Sequence, residues 1–136
     1  MNNVIIDGLS FALPLFIMAI GGIYSERSGV TNLALEGLQG FGAFTGALVA
    51  YMLMQFTSVD SSAVYYVALL FAMIGGMIFS LLHALLCVRF KANQVISGVV
   101  INILAMALTA FLTKVINRSV FGTPSDKFDL GVSARW

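Results

Sequence analysis

The chain has 136 residues, of which 60% are hydrophobic and only 10% are charged. A soluble domain carries about 25% charged residues, so this composition excludes an ordinary soluble protein and indicates an integral membrane protein. The formal net charge of +1 offers no basic surface to nucleic acid, and the single cysteine, Cys87, excludes an internal disulfide and a cysteine-based metal site.

Four segments have the length and apolarity needed to cross a bilayer, for which a helix needs about 20 residues. We predict transmembrane helices at about residues 9–24, 30–56, 63–88 and 94–116, which makes the fold all-α and polytopic. The first follows an N-terminal stretch without the Lys, Arg or cleavage site of a signal peptide, so we expect it to be retained. The second is rich in glycine, which permits a break near Gly37–Gly42.

The connections between the spans predict an orientation. Arg27, Arg89 and Lys91 lie in the first and third connections, and the second has no Lys or Arg. Since cytoplasmic loops are enriched in these residues, we predict an external N-terminus. The residues after the fourth span are polar and contain turn residues, so we divide the chain into a transmembrane region, 1–116, and an extracytoplasmic loop, 117–136. The basic residues of that loop oppose this orientation.

Small and polar residues recur at helical spacing on three spans. On the second span, one face carries a single carboxylate and small side chains: Glu36, Gly40, Ala43, Ala47 and Ala50. Gly42 and Gly46 form a GxxxG on another face of that span. The third span carries a stripe formed by Gly76, Ser80, His83 and Cys87. The fourth carries a stripe formed by Gln94, Gly98, Asn102, Ala105, Thr109 and Thr113. We predict that such faces contact protein or water rather than lipid. Within them, we assign a role in helix packing to Gly40, Gly42, Gly46 and Gly76.

Glu36 is the candidate that most needs an explanation, because carboxylates inside a membrane are costly and are mostly functional. We predict that it lies near the cytoplasmic end of the second span, where it lines the transport path or holds the preceding turn. The alternative is a carboxyl packed against protein near the interface. Further candidates for the path, with hydrogen bonding between helices as their alternative role, are Asn32, Gln94, Ser97 and Asn102. We interpret His83 and Cys87 as buried packing residues.

Catalysis finds no support in the sequence. Ser80 and His83 are three residues apart on one face, but there is no nucleophile elbow, no paired carboxylate and no phosphate-binding loop. We therefore predict no catalytic residue, no metal and no cofactor.

Two stretches resemble a known family. The first, GGIYSERSGVTNLALEG, is similar to a pattern in the membrane permease subunits of bacterial ABC importers, in the nucleoside and simple-sugar branch related to ribose and branched-chain amino acid permeases. The matching positions are Gly21, Gly22, Ser25, Glu26, Arg27, Ser28, Gly29, Val30, Asn32, Glu36 and Gly37. The second stretch, KANQVISGVVIN, matches at Asn93, Gln94, Val95, Ser97, Gly98 and Asn102, and the preceding segment with His83 also fits.

This resemblance implies a permease in the bacterial cell membrane that pairs with a second permease subunit. It implies two cytoplasmic ATP-binding subunits, which hydrolyse the ATP, and an extracytoplasmic lipoprotein that delivers the substrate. The turn from Ser25 to Gly29, with Glu26, Arg27 and Ser28 inside it, would be cytoplasmic. Since family members are roughly twice as long, we expect this chain to be the N-terminal half of a permease, without the segment that grips the ATPase.

Two other functions stay open at this point. One is a self-contained small transporter or channel that uses Glu36 and dimerises through Gly42 and Gly46. The other is a membrane subunit that only scaffolds its partners. The sequence does not separate nucleosides from sugars as substrates.

Overall fold

The computed structural model describes residues 2–56 and 61–128 and confirms the all-α prediction. Within these ranges the chain forms α1 (Asn2–Arg27), α2 (Leu35–Phe56), α3 (Ser61–Ala84) and α4 (Gln94–Ser119), and it has no strand. A π-helical turn, Leu85–Arg89, continues α3. All four helices of the described part are long and apolar enough to span a membrane, so the chain is an integral membrane protein.

The first helix extends beyond the predicted span of about residues 9–24 on both sides. Helix α1 begins at Asn2 and runs to Arg27, so Ser25 and Glu26 are helical instead of lying in a loop. The turn is confined to Ser28 and Gly29, and Gly29 has a positive φ of 84°. The prediction followed hydropathy, but backbone hydrogen bonds continue a helix through polar residues beyond its apolar core.

The predicted break in the second span was misplaced. Residues 30–34 are not helical, and α2 then runs without interruption from Leu35, through the whole region of Gly37–Gly42. The glycines permit close packing instead. A Cβ added at Gly42 would lie 2.8 Å from the Ala72 carbonyl oxygen, and one added at Gly46 would lie 3.0 Å from that of Ala68, both on α3. Glycine therefore brings two helices together here, as small residues do in membranes.

Helices α2, α3 and α4 form a packed bundle, and α1 stands outside it. No residue of the Val4–Arg27 span is buried. The core contains Ala34, Phe79, Ile101 and Ala105, and the Phe41 and Phe79 rings stack with centroids 4.4 Å apart. Because Ala34 belongs to the non-helical segment before α2, that segment is part of the core.

The chain folds back on itself after α4, which ends at Ser119 and so extends past the predicted limit of 116. Gly122 has a positive φ of 65°, and the Asn117 side-chain amide donates to the carbonyl oxygens of Ser125 (2.8 Å) and Lys127 (3.0 Å). We name residues 121–128 the return loop. The remainder of the predicted extracytoplasmic loop, 129–136, and most of the second connection, 57–60, lie outside the described residues.

Candidate functional site

A non-helical segment, Ser28–Ala34, joins α1 to α2, and we name it the connecting segment. The Asn32 side chain accepts a hydrogen bond from the Ala34 N–H at 3.0 Å, just before α2 begins. Gln94 at the start of α4 holds the other part of the segment: its Oε1 accepts from the Thr31 N–H at 2.7 Å, and its Nε2 donates to the Gly29 carbonyl at 3.3 Å. These bonds satisfy backbone groups that have no helical partner.

Asn102, two turns after Gln94 on α4, also binds backbone groups near the start of α2. Its Nδ2 donates to the Leu33 carbonyl at 2.9 Å, and its Oδ1 accepts from the Gly37 N–H at 2.8 Å. Gly37 and Gly98 allow the backbones to meet: a Cβ on Gly37 would lie 2.9 Å from the Asn102 Cα, and one on Gly98 would lie 2.8 Å from the Leu33 Cβ. Asn102 thus caps the first turn of α2 from a different helix.

The hydrogen bonds also show how deep α2 begins. At about 1.5 Å per residue, Asn102 lies about 12 Å along α4 from Gln94. If α4 starts at the edge of a hydrocarbon layer of about 30 Å, the first turn of α2 lies inside that layer. Irregular backbone is tolerated at that depth only where protein or water satisfies it, which is the role of Gln94 and Asn102.

Ser97 lies elsewhere, in a buried polar cluster with His83 and Cys87. His83 is 3% exposed, and its Nδ1 is 3.1 Å from the Ser97 Oγ. The Cys87 sulfur is 3.7 Å from the His83 Nε2. Among the path candidates, Ser97 is thus a partner of His83.

Glu36 lies in the first turn of α2 and is exposed. It is adjacent to Gly37, whose N–H donates to the Asn102 side chain, so Glu36 lies at the level of Asn102 along α4. The helix dipole at this end favours a carboxylate. One helical turn further on is Gly40, and the face predicted from Glu36 continues from there.

A wide-open surface groove of about 390 Å³ lies between this face of α2 and the threonine stripe of α4. We name it the α2–α4 groove. Its lining residues are Gly40, Ala43, Phe44 and Ala47 from α2, Thr109, Ala110 and Thr113 from α4, and Asp126, Lys127 and Phe128 from the return loop. The two stripes predicted from helical spacing thus meet in one place.

The wall of the groove is formed by small and hydroxyl-bearing side chains. The Thr109 hydroxyl donates to the Ala105 carbonyl at 2.8 Å, and the Thr113 hydroxyl donates to the Thr109 carbonyl at 2.8 Å. Each hydroxyl hydrogen is therefore used within α4, and the oxygen keeps a lone pair that can accept from a ligand. The charged residues Asp126 and Lys127 of the return loop complete the lining.

The predicted packing glycines divide into two groups. Gly42 and Gly46 pack on α3, and Gly76 has the Leu38 carbonyl at 3.5 Å from its Cβ position. A Cβ added at Gly40 would meet nothing within 4 Å in this chain, and Gly40 borders the groove, so its predicted packing role stays a prediction. Gly42 and Gly46 are also covered by the chain's own α3, so that face is not free to join a second copy.

Sequence reasoning missed the residues that close the groove. The sequence predicts a polar loop that contains Asp126, Lys127 and Phe128. Its polarity and turn residues do not indicate that the loop folds back onto the groove. The ring of Phe128 lies 5.9 Å from that of Phe44 and 5.5 Å from that of Tyr51. The aromatic residues among polar ones were the available signal. In the ranges described, no group of three or more His, Cys, Asp or Glu side chains could hold a metal ion.

Comparison with known proteins identifies relatives along nearly the whole chain. Residues 4–135 match the family described as branched-chain amino acid transport system / permease component. The guanosine ABC transporter permease protein NupQ of Bacillus subtilis is 45% identical over 108 residues, which are 79% of this chain and 33% of that protein. The nucleoside ABC transporter permease protein NupC of Lactococcus lactis is 34% identical over 112 residues, which are 82% of this chain and 34% of that protein.

A protein of Haloferax volcanii, TsgC13, whose name assigns it provisionally as a glucose ABC transporter permease, is 34% identical over 120 residues. These cover 88% of this chain and 34% of that protein. The chain thus spans about a third of the length of these relatives, less than the half that the resemblance implied. No solved structure matches the chain.

Proposed function

The chain belongs to the family of branched-chain amino acid transport system permease components, and from that premise we propose that it forms part of the translocation path of an ATP-driven importer for nucleosides. The relatives named for guanosine and for nucleosides support this substrate class. Simple sugars are the second candidate, which the relative provisionally named for glucose favours.

The observation that carries the proposal is the α2–α4 groove. It combines small side chains, which leave room for a solute, with threonine hydroxyl oxygens that accept hydrogen bonds from sugar hydroxyl groups. Glu36, in the first turn of α2, lies one helical turn before Gly40 of the groove, and we include its carboxylate in the proposed path. Ligand sites of this size, roughly 300–1,000 Å³, are common between helices of bundles.

The partners follow from the same premise. The chain works with a second permease subunit, with cytoplasmic ATP-binding subunits that hydrolyse the ATP, and with an extracytoplasmic lipoprotein that binds the substrate. Its place is the bacterial cell membrane, and the chain itself is not an enzyme. A self-contained carrier that dimerises through Gly42 and Gly46 is disfavoured, because α3 covers both residues.

Gly40 gives a sharp test, because a side chain added there enters the groove without striking the backbone. We expect Gly40→Leu in the complete transporter to reduce the initial rate of radiolabelled guanosine uptake at least tenfold. The matched control is Gly8→Leu, since Gly8 is also a helical glycine with nothing within 4 Å of its Cβ position but lies far along α1. Equal uptake by both variants at equal membrane abundance would show that the groove is not the path.

Glu36→Gln and Glu36→Ala test whether the carboxylate one helical turn before the groove contributes to the path. If Glu36 contributes to the path, both variants reach the membrane in normal amount and transport more slowly. Normal uptake by both would remove Glu36 from the path. Parallel assays with guanosine and glucose decide between the two substrate classes.

A further inference from the structure

The outward face of α4 near its C-terminal end carries two cations one helical turn apart, Lys114 and Arg118. Phe111 and Val115 lie on the same side, and at 100° per residue all four fall within about 100° of arc, opposite the groove-lining Thr113. Phe111 is 61% exposed and Val115 is 42% exposed. This face therefore presents cationic groups toward the helix end and apolar groups next to them.

The return loop turns this face into a pocket of about 410 Å³. Pro124, Ser125 and Asp126 form its second wall. The loop is held in place by Asn117, which is 1% exposed, and by the bond from the Thr123 N–H to the Asn117 carbonyl at 3.0 Å. Buried contacts therefore fix the position of the loop wall, whereas the charged groups of the pocket are on exposed side chains.

The charge in the pocket is net positive. Asp126 Oδ2 lies 3.3 Å from the Lys114 Nζ, and both side chains are more than half exposed, so water and other ions reach the pair. Arg118 adds a second cation. Two cations against one carboxylate leave a binding position for one anionic group, with the guanidinium available for two parallel hydrogen bonds to it.

The position along α4 sets the depth of the pocket. Lys114 is about 30 Å from Gln94 at 1.5 Å per residue, and Arg118 is about 36 Å from it. Since the hydrocarbon core is about 30 Å thick, the two cations lie where the opposite headgroup layer begins, and Phe111 lies within the acyl chains. In the orientation predicted from the sequence, these cations lie on the side where the positive-inside rule disfavours Lys and Arg.

We propose that this pocket binds the phosphate of an anionic phospholipid in the leaflet at the C-terminal end of α4. The phosphodiester lies between Lys114 and Arg118, and an acyl chain lies along Phe111 and Val115. The site lies on the other side of α4 from the α2–α4 groove, and Asp126 of the return loop is the one residue that lines both. It assigns an anchoring role to basic residues that the transport function does not use.

The test is binding of phosphatidylglycerol and phosphatidylcholine of identical acyl chains to the complete transporter in detergent, measured by native mass spectrometry. We expect the wild type to prefer phosphatidylglycerol. Removal of both charges by Lys114→Gln/Arg118→Gln should weaken its binding by roughly thirtyfold, at about fivefold for each charge. The matched control, Arg89→Gln/Lys91→Gln, removes two cations from the opposite end of the bundle and should leave that preference unchanged.

Further control experiments distinguish lipid binding at this pocket from general attraction to positive charge. Charge-preserving Lys114→Arg/Arg118→Lys should keep the preference, and excess inorganic phosphate should not displace the lipid, because phosphate makes no acyl contact. If the double Gln variant does not fold, a photoactivatable phosphatidylglycerol applied to the wild type should crosslink to residues 111–118. Absence of a lipid preference, equal weakening in both double variants, displacement by phosphate, or crosslinks elsewhere would each overturn the proposal.

Discussion

Asn102→Ala removes the side chain that joins the connecting segment to the start of α2. The Leu33 carbonyl and the Gly37 N–H both lose their partner, and Gly37 is buried. An unsatisfied buried group costs about 1–3 kcal/mol, whereas hydrogen bonds between membrane helices average about 0.6 kcal/mol because other partners are found. For two groups, one of them buried, we expect the free energy of unfolding to fall by about 2–3 kcal/mol.

The measurement is unfolding of the complete polypeptide in mixed micelles titrated with SDS. It is followed by labelling of Cys87, which is buried and is the one cysteine of this sequence. Asn102→Asp keeps the acceptor for the Gly37 N–H and loses the donor to the Leu33 carbonyl, so its loss should be about half as large. Gln39→Ala removes an exposed amide from α2 and is the control. An Asn102→Ala loss no larger than that of Gln39→Ala would refute the capping argument.

Three further predictions concern packing and the buried cluster. Gly98→Ala should cost about 1–3 kcal/mol in unfolding free energy, since its Cβ would lie 2.8 Å from the nearest atom of the connecting segment; a cost below that of Gly40→Ala, which has open space, would contradict it. Gly42→Ala should cost a similar amount through a 2.8 Å approach to an α3 carbonyl, and the same titration measures it. His83→Leu and Ser97→Ala should be non-additive by about 0.5–3 kcal/mol in a double-mutant cycle, because the two side chains share one buried hydrogen bond; additive losses would argue against that bond.

The helix count and the faces could be predicted from the sequence, because hydropathy and helical spacing are local properties. Gln94 and Asn102 were correctly placed on one face, two turns apart. Their partners could not be predicted, since they are backbone atoms of an irregular segment more than sixty positions earlier in the chain. A stripe of amides on an apolar helix indicates that something polar is opposite, but periodicity does not say whether it is a helix, a loop or a solute.

The location of the break could not be predicted for a related reason. Glycine permits both a break and a close approach, and only tertiary contacts decide between them. Gly42 contacts α3, whereas Gly40, two positions earlier, faces the open groove. The irregular backbone ends at Ala34, where Asn32 from the segment and Asn102 from α4 supply the capping bonds.

The polar stripe on α4, from Gln94 to Thr113, therefore has two parts with different roles. In its first half, Gln94, Gly98 and Asn102 hold the connecting segment, so substitutions there change the free energy of unfolding before they change transport. In its second half, Thr109 and Thr113 line the groove, and their hydroxyls bond only within α4. Thr109→Val and Thr113→Val should therefore leave unfolding nearly unchanged and slow uptake. If both halves behaved alike in both assays, the groove would be a packing defect and the path would lie elsewhere.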